Sequence, residues 1–319
     1  MDQPTLFTDV NTLLEVSQPK ARLSWGTYGL VTMVLLVLFS SMTSGNNPQV
    51  QQGVQTVTTV AMFGVLMGVF VLSAASARAL RREQTQLLAA KELVQLRHWP
   101  QAAVLLQSLL SRPTRTQQGR IQALLSLSSV LTRFHRFDDV ITIDEYLLSN
   151  VSMDEATAAS IQLTRAMAML REDRLLDADR AISELRRNAV PAAAGALVLV
   201  QLYRDVKTGH PREAIDLFQA KFDLLRQQLG HRLADAYALL AAAHDLLQEK
   251  DQAAAAYAKA TLLAPPAELL RRYPEVSVVA QKYPPTFAPP EFAGPSDPIA
   301  AFSNVGPQVA TAWAGGQHA

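Results

Sequence analysis

The sequence of 319 residues contains no cysteine, and in one long stretch it contains no charge. The missing cysteine excludes disulfides, thiolate nucleophiles and cysteine-ligated metals. Charged residues make up 18% of the chain, yet the run from Leu23 to Ala77 has no Asp, Glu, Lys, Arg or His. The net charge is only +1, so no electrostatic footprint for nucleic acid is present and no nucleic-acid partner is expected.

The charge-free run divides into two apolar stretches, 23–43 and 54–77, joined by a loop of turn-forming residues. Each stretch, as a helix, is long enough for a hydrocarbon core of ~30 Å. Basic residues flank the two outer ends and the loop carries none, which favours cytoplasmic termini. The pattern therefore predicts a transmembrane hairpin in a lipid bilayer, and an integral membrane protein such as one of a bacterial inner membrane.

Two glycines of the second stretch, Gly64 and Gly68, fit the small-xxx-small pattern that lets two helix backbones approach closely. The first interpretation is packing of membrane helices within the hairpin. Formation of a homo-oligomer through these helices, or binding to another membrane protein, is the alternative.

The N-terminal segment, residues 1–22, carries a short amphipathic pattern. Leu6, Phe7, Val10, Leu13 and Leu14 fall on one helical face, which indicates a short helix lying in the membrane interface on the cytoplasmic side.

From residue 78 to 273 the pattern is helical throughout, because apolar residues recur at three and four and strand-like alternation is absent. Segments with a similar residue pattern repeat along the chain, and each consists of a turn followed by an amphipathic stretch. The small or β-branched residue that opens each second helix is Ala102, Val140, Ala178, Ala214 or Ala253. Spacings of 38, 38, 36 and 39 residues predict a solenoid of about five helix pairs.

The last of these units resembles the tetratricopeptide repeat. With Pro265 at the closing position, the other pattern positions are occupied by Tyr237, Leu240, Ala241, His244, Ala253, Tyr257 and Ala260. The earlier units match loosely, and Asp144 stands where a large apolar residue belongs. The resemblance implies an all-α fold in which small residues let the helices of one unit cross closely. An irregular helical solenoid and a compact bundle are the alternatives.

The resemblance implies that the first helix of each unit lines an inner groove, which binds a protein or peptide partner. The positions that fall on this groove are Leu163, Met167, Leu199, Tyr203, Ala238 and Asp245. They are more apolar than charged, so a hydrophobic or amphipathic segment is the expected ligand. A final helix at 266–273 is expected to cap the array, and the proline-rich remainder, residues 274–319, is expected to be disordered.

The sequence contains no His-Glu-x-x-His metal motif, no Gly-x-x-x-x-Gly-Lys phosphate loop and no Gly-x-Ser-x-Gly nucleophile elbow. No enzyme activity, cofactor or metal is therefore expected. The leading hypothesis is a membrane-anchored scaffold or adaptor at the cytoplasmic face. The second is an assembly factor or accessory subunit of a larger membrane complex, docked through the hairpin. The third is an enzyme or sensor whose chemistry resides in an associated subunit.

Overall fold

The computed structural model describes residues 9–19, 29, 32–34, 37, 48–188 and 190–284. The chain divides into two compact units, Met1–Val200 and Gln201–Ala319. Every regular element in the described ranges is helical and none is a strand, which confirms the all-α prediction. The α-helices are α1 (Val10–Val16), α2 (Pro48–Gln95), α3 (Trp99–Leu110), α4 (Gln117–Arg133), α5 (Phe137–Asn150), α6 (Glu155–Arg171), α7 (Leu175–Arg187), α8 (Ala194–Lys207), α9 (Pro211–Ala220), α10 (Phe222–Leu229), α11 (Leu233–Leu246), α12 (Lys250–Leu263), α13 (Pro266–Arg272) and α14 (Ser277–Lys282). Three 3-10 turns lie at Pro191–Ala193, Gly230–Arg232 and Pro274–Val276.

Helices α3, α5, α7, α9 and α12 each begin after the same tight turn. In each turn one residue has a left-handed backbone, with φ from 57° to 76°: Arg97, His135, Asp173, Gly209 and Gln248. The amide of the following residue bonds the carbonyl five positions earlier, as His98 N does to Leu93 O at 2.9 Å. This is the closure of a Schellman motif, which satisfies free carbonyls at a helix end. Successive turns are 38, 38, 36 and 39 residues apart, as the small residues predict.

The small residues that set this period are at the centre of the packing. Ala102, Val140, Ala178, Ala214 and Ala253 are all at most 1% exposed. In the first unit, helices α2 to α6 each pack against the next helix along the chain, and in the second unit α11 packs against α9 and α12. The fold is therefore repeat-like, while its assignment to the tetratricopeptide family stays a prediction.

The prediction of an integral membrane protein is wrong. The first expected span, 23–43, falls almost wholly outside the described residues, and the second, 54–77, forms part of α2. α2 runs without a break from Pro48 to Gln95 and joins that apolar stretch to the charged residues that follow Ala77. Within the described part of the chain, no helix combines the length and the apolar character needed to cross a membrane.

The short N-terminal helix predicted from the apolar pattern is present as α1. Its apolar side, Val10, Leu13 and Leu14, is buried, with at most 6% of each residue exposed. α1 packs on α3 and α5, so these side chains face protein and not the membrane interface that we expected.

Helical structure continues beyond the boundary predicted at residue 273. The expected capping helix is α13, and it is followed by the 3-10 turn Pro274–Val276 and by α14. Val276 and Val279 are at most 1% exposed. This apolar packing orders residues that proline content alone assigned to the tail, whereas residues 285–319 lie outside the described part.

Asp144 of α5 is a buried acid, only 1% exposed. Its Oδ1 accepts a hydrogen bond from Ser128 Oγ at 3.0 Å, and no described group bonds its Oδ2. Burial raises the pKa of Asp144 to about 7, against the lowering effects of the Ser128 hydrogen bond and of the Arg165 charge. The side chain is therefore protonated in the folded protein over a pH range in which a free carboxyl is ionised.

Asp144 is expected to make stability fall as pH rises. Between about pH 4 and pH 7 the unfolded chain has released this proton and the folded chain has kept it, so the free energy of unfolding drops by about 1.4 kcal/mol per pH unit. Urea unfolding at pH 4.5 and pH 7.5 measures the drop, and Asp144→Asn should remove it. Asp154→Asn is the matched control, since hydrogen bonds from Thr157 lower the pKa of that exposed acid. An equal pH dependence in Asp144→Asn would contradict the assignment.

Gly209 tests the repeated turn. Its φ is +76°, and an added Cβ would meet no atom within 4 Å, so substitution changes backbone strain without a clash. We expect Gly209→Ala to lower the free energy of unfolding by about 1 kcal/mol. Gly209→Asn should cost less, because Asn tolerates the left-handed region. If urea denaturation finds Ala as stable as Gly here, the turn is not left-handed.

Candidate binding surfaces

In the first unit, the predicted groove residues are Leu163, Met167 and Leu199, and a small cavity lies beside Leu163. Leu163 and Leu199 are buried, at 8% and 0% exposed, and Met167 is partly exposed. Of the three, only Leu163 lines the cavity, which has a volume of about 140 Å³. The cavity lies between α6, the end of α7 and the start of α8, and is lined by Ala159, Leu163, Leu185, Asn188, Val190, Pro191, Ala193, Ala194 and Leu197. Its lining is apolar except for one amide, which suits a single hydrophobic side chain of a ligand.

In the second unit, the predicted groove residues are buried, and Tyr203 and Asp245 contact the chain's own C-terminal segment, defined here as residues 266–284. Tyr203, Ala238 and Asp245 are 1%, 0% and 9% exposed. The C-terminal segment packs along α11 and α12 through α13, α14 and the 3-10 turn between them. The face of α11 is therefore covered by the chain itself.

Two buried aspartates of α11 hold the C-terminal segment by ion pairs. Arg272 Nη1 donates to Asp235 Oδ1 at 2.6 Å, and Asp235 is 0% exposed. Asp245 lies ten residues after Asp235 on α11, and Lys282 Nζ donates to its two carboxylate oxygens at 2.7 and 2.9 Å. The Tyr283 hydroxyl lies 3.4 Å from Asp245 Oδ1. Buried acids of this kind are stable only with such partners.

Apolar and aromatic contacts fill the space between these ion pairs. Tyr273, Val276 and Val279 are at most 1% exposed. The Tyr273 ring meets the Tyr203 ring edge-on, with ring centroids 5.2 Å apart, and the Tyr203 hydroxyl donates to Glu275 Oε1 at 2.9 Å. The surface thus recognises a basic residue, an apolar stripe and a second basic residue in that order.

The candidate glycines of α2 meet no neighbour. A Cβ added at Gly64 or at Gly68 would find no atom within 4 Å, so no described residue makes the close helix contact predicted there. Helix packing at these positions stays a prediction. Large apolar side chains on the same part of α2 are 49% to 69% exposed, namely Val60, Phe63, Leu66, Met67, Phe70 and Val71.

The described titratable residues form no group of three that is placed to hold a metal ion. His244 of α11 is 7% exposed, and its Nδ1 lies 2.6 Å from Glu249 Oε2. Glu249 follows the repeated turn at Gln248, so this pair joins the end of α11 to the start of α12. The contact is a structural one between neighbouring helices.

Sequence reasoning placed Tyr203, Ala238 and Asp245 on one surface but missed what binds there. Arg272 lies in the predicted capping helix, 266–273, and Lys282 lies in the region predicted to be a disordered tail, 274–319. Val276 and Val279 lie between them at helical spacing, although the structure divides the segment into α13, a 3-10 turn and α14. Pro274 concealed this spacing, because a proline two residues after Arg272 normally ends a helix.

No family model, no curated protein and no solved structure matches this chain. The comparisons assign it to no family.

Proposed function

We propose that this protein is a helical-repeat scaffold that binds a helical segment of a partner protein on the face of α11. The observation that carries the proposal is the occupied state of that face. A segment of the chain itself lies there, bound through two ion pairs and an apolar stripe. A surface that accepts such a segment in cis is also able to accept one of the same chemistry in trans.

The chemistry of the bound segment defines the partner that we propose. Arg272 and Lys282 contact acids, and Val276 and Val279 are buried between them. A partner segment with a basic residue, aliphatic residues four and seven positions later and a second base at the tenth would reproduce these contacts. The proposed ligand is therefore a basic amphipathic segment that folds, as residues 266–284 do, into two short helices joined by a turn.

The C-terminal segment is suited to be displaced. α14 has six residues and α13 has seven, and isolated helices shorter than about 12 residues are marginal in water. Their helical form depends on docking. The Lys282 side chain is 45% exposed, so the ion pair with Asp245 contributes about 1 kcal/mol or less after solvent screening.

A peptide of residues 266–284, labelled with a fluorophore, tests whether the face of α11 binds in trans. Lys282→Glu places an acid against Asp245 and weakens the cis segment, so the full-length variant should bind the peptide about tenfold more tightly than the unchanged chain, a difference of ~1.4 kcal/mol. Fluorescence anisotropy measures the affinity.

Lys221→Glu, at an exposed lysine of the same unit, is the matched control and should bind the peptide as the unchanged chain does. Adding Asp245→Asn to Lys282→Glu should remove most of the gain, because the acid that the peptide lysine needs is then missing. Absence of peptide binding to every variant would contradict the proposal.

The exposed apolar side of α2 favours a second candidate function, that of an accessory subunit which docks on a larger complex through this helix. Phe63 and Phe70 are 67% and 69% exposed. A pull-down with the full chain separates the two functions. Partners that bind the face of α11 are lost in Asp245→Arg and kept in a Phe63→Asp, Phe70→Asp double variant, whereas a complex docked on α2 shows the opposite pattern.

A further inference from the structure

Arg120 is a buried cation at the start of α4, with 2% of the residue exposed. Its Nε donates to Ser17 Oγ at 2.9 Å, and its Nη2 donates to the Leu14 carbonyl at 2.5 Å. Its Nη1 donates to the Tyr146 hydroxyl at 2.7 Å. The guanidinium therefore binds the C-terminal end of α1 and one phenol of α5.

These partners of Arg120 are all uncharged. Among the residues that the structure describes, no carboxylate oxygen lies within 4 Å of the guanidinium, and its nearest aromatic partner is the Tyr146 ring, 4.8 Å from the centroid. A buried charge is costly unless an opposite charge compensates it. Hydrogen bonds to a charged acceptor are about twice as strong as those to a neutral one. The site is thus built for an anion that α1 does not supply.

The other end of α1 also has an unfavourable charge. Asp9, which caps α1, lies near the acidic start of α5. Burial raises the pKa of Asp139 there, and the neighbouring Asp138 and Asp9 carboxylates raise it further, against the lowering effect of Arg136. α1 therefore places an acid where the surface is acidic and a neutral serine where the surface is basic.

Between its ends α1 contributes a regular stripe. Val10, Leu13, Leu14 and Ser17 are the buried positions, at most 6% exposed, and they follow the spacing i, i+3, i+4 and i+7. Thr114 Oγ1 also donates to the Ser17 carbonyl at 2.9 Å. A helix of only seven residues depends on this docking for its helical form.

We propose that the surface formed by α3, α5 and Arg120 is a second binding site, which takes an amphipathic helix of a partner protein with apolar residues at i, i+3 and i+4 and a carboxylate at i+7. α1 occupies the site when that partner is absent. Binding of the partner places its carboxylate on Arg120 in exchange for Ser17, and α1 is released. This site is independent of the face of α11.

Synthetic peptides of residues 8–19 test the proposal against the full-length protein. The Ser17→Asp peptide carries the acid at i+7, and the Val16→Asp peptide carries the same charge at a position that is exposed in α1, at 41%. We expect the Ser17→Asp peptide to bind about tenfold more tightly than either the native or the Val16→Asp peptide, a difference of ~1.4 kcal/mol in binding free energy. Arg120→Gln in the full chain should abolish the difference.

Hydrogen exchange provides a second measurement that does not need the Arg120 variant to fold. In the full chain, Ser17→Asp should slow amide exchange across residues 13–16 by about tenfold relative to Ser17→Asn, which has the same shape without the charge. Val16→Asp should leave the exchange rate unchanged. Equal peptide affinities, or equal exchange in Ser17→Asp and Ser17→Asn, would overturn the assignment of Arg120 as an anion-binding residue and would leave the proposal for α11 standing.

Discussion

The left-handed turn that precedes α3, α5, α7, α9 and α12 is the constraint on which the helix pairs depend. Each turn closes one helix and starts the next, with a single residue at positive φ. Four of the five residues are not glycine, so each of those turns carries a strain of roughly 1–2 kcal/mol. Helix packing offsets this strain. The turn reverses the chain and brings the small residues into close helix contact, where Ala102, Val140, Ala178 and Ala253 are 0% exposed.

The helical class and the period could be predicted from the sequence for the same reason. Small residues that allow close crossing must recur once per pair, so their spacing equals the spacing of the turns. The left-handed backbone of the turns could not be predicted, since Arg97, His135 and Gln248 give no local signal for it. Asp144, in contrast to these turns, does have a signal in the sequence. The sequence marked it as an acid at an apolar position, and its burial explains why it holds a proton.

The candidate surfaces were harder to predict, because they depend on contacts between distant parts of the chain. Tyr203 and Asp245 were assigned to a groove from repeat geometry, and both lie on a surface that binds a segment. The segment bound there is the chain's own, which periodicity within the repeats does not reveal. Arg120 was not singled out at all, since an arginine in the first turn of a helix is ordinary until Ser17, 103 residues earlier, accepts its hydrogen bond.

The two bound segments differ in how well their charges match their sites. The C-terminal segment brings Arg272 and Lys282 to buried aspartates, so charge and shape agree. α1 fits its site by apolar packing and uncharged hydrogen-bond acceptors, and its Ser17 is neutral where it faces a buried guanidinium. Both helical segments are too short to be stable apart from the protein, so ordering and docking form one equilibrium in each case. The net free energy of docking is then a small difference between burial and ordering, and a single charge is enough to shift it. For that reason we expect α1, whose C-terminal end does not match the charge of its site, to be displaced by a partner segment more readily than the C-terminal segment is.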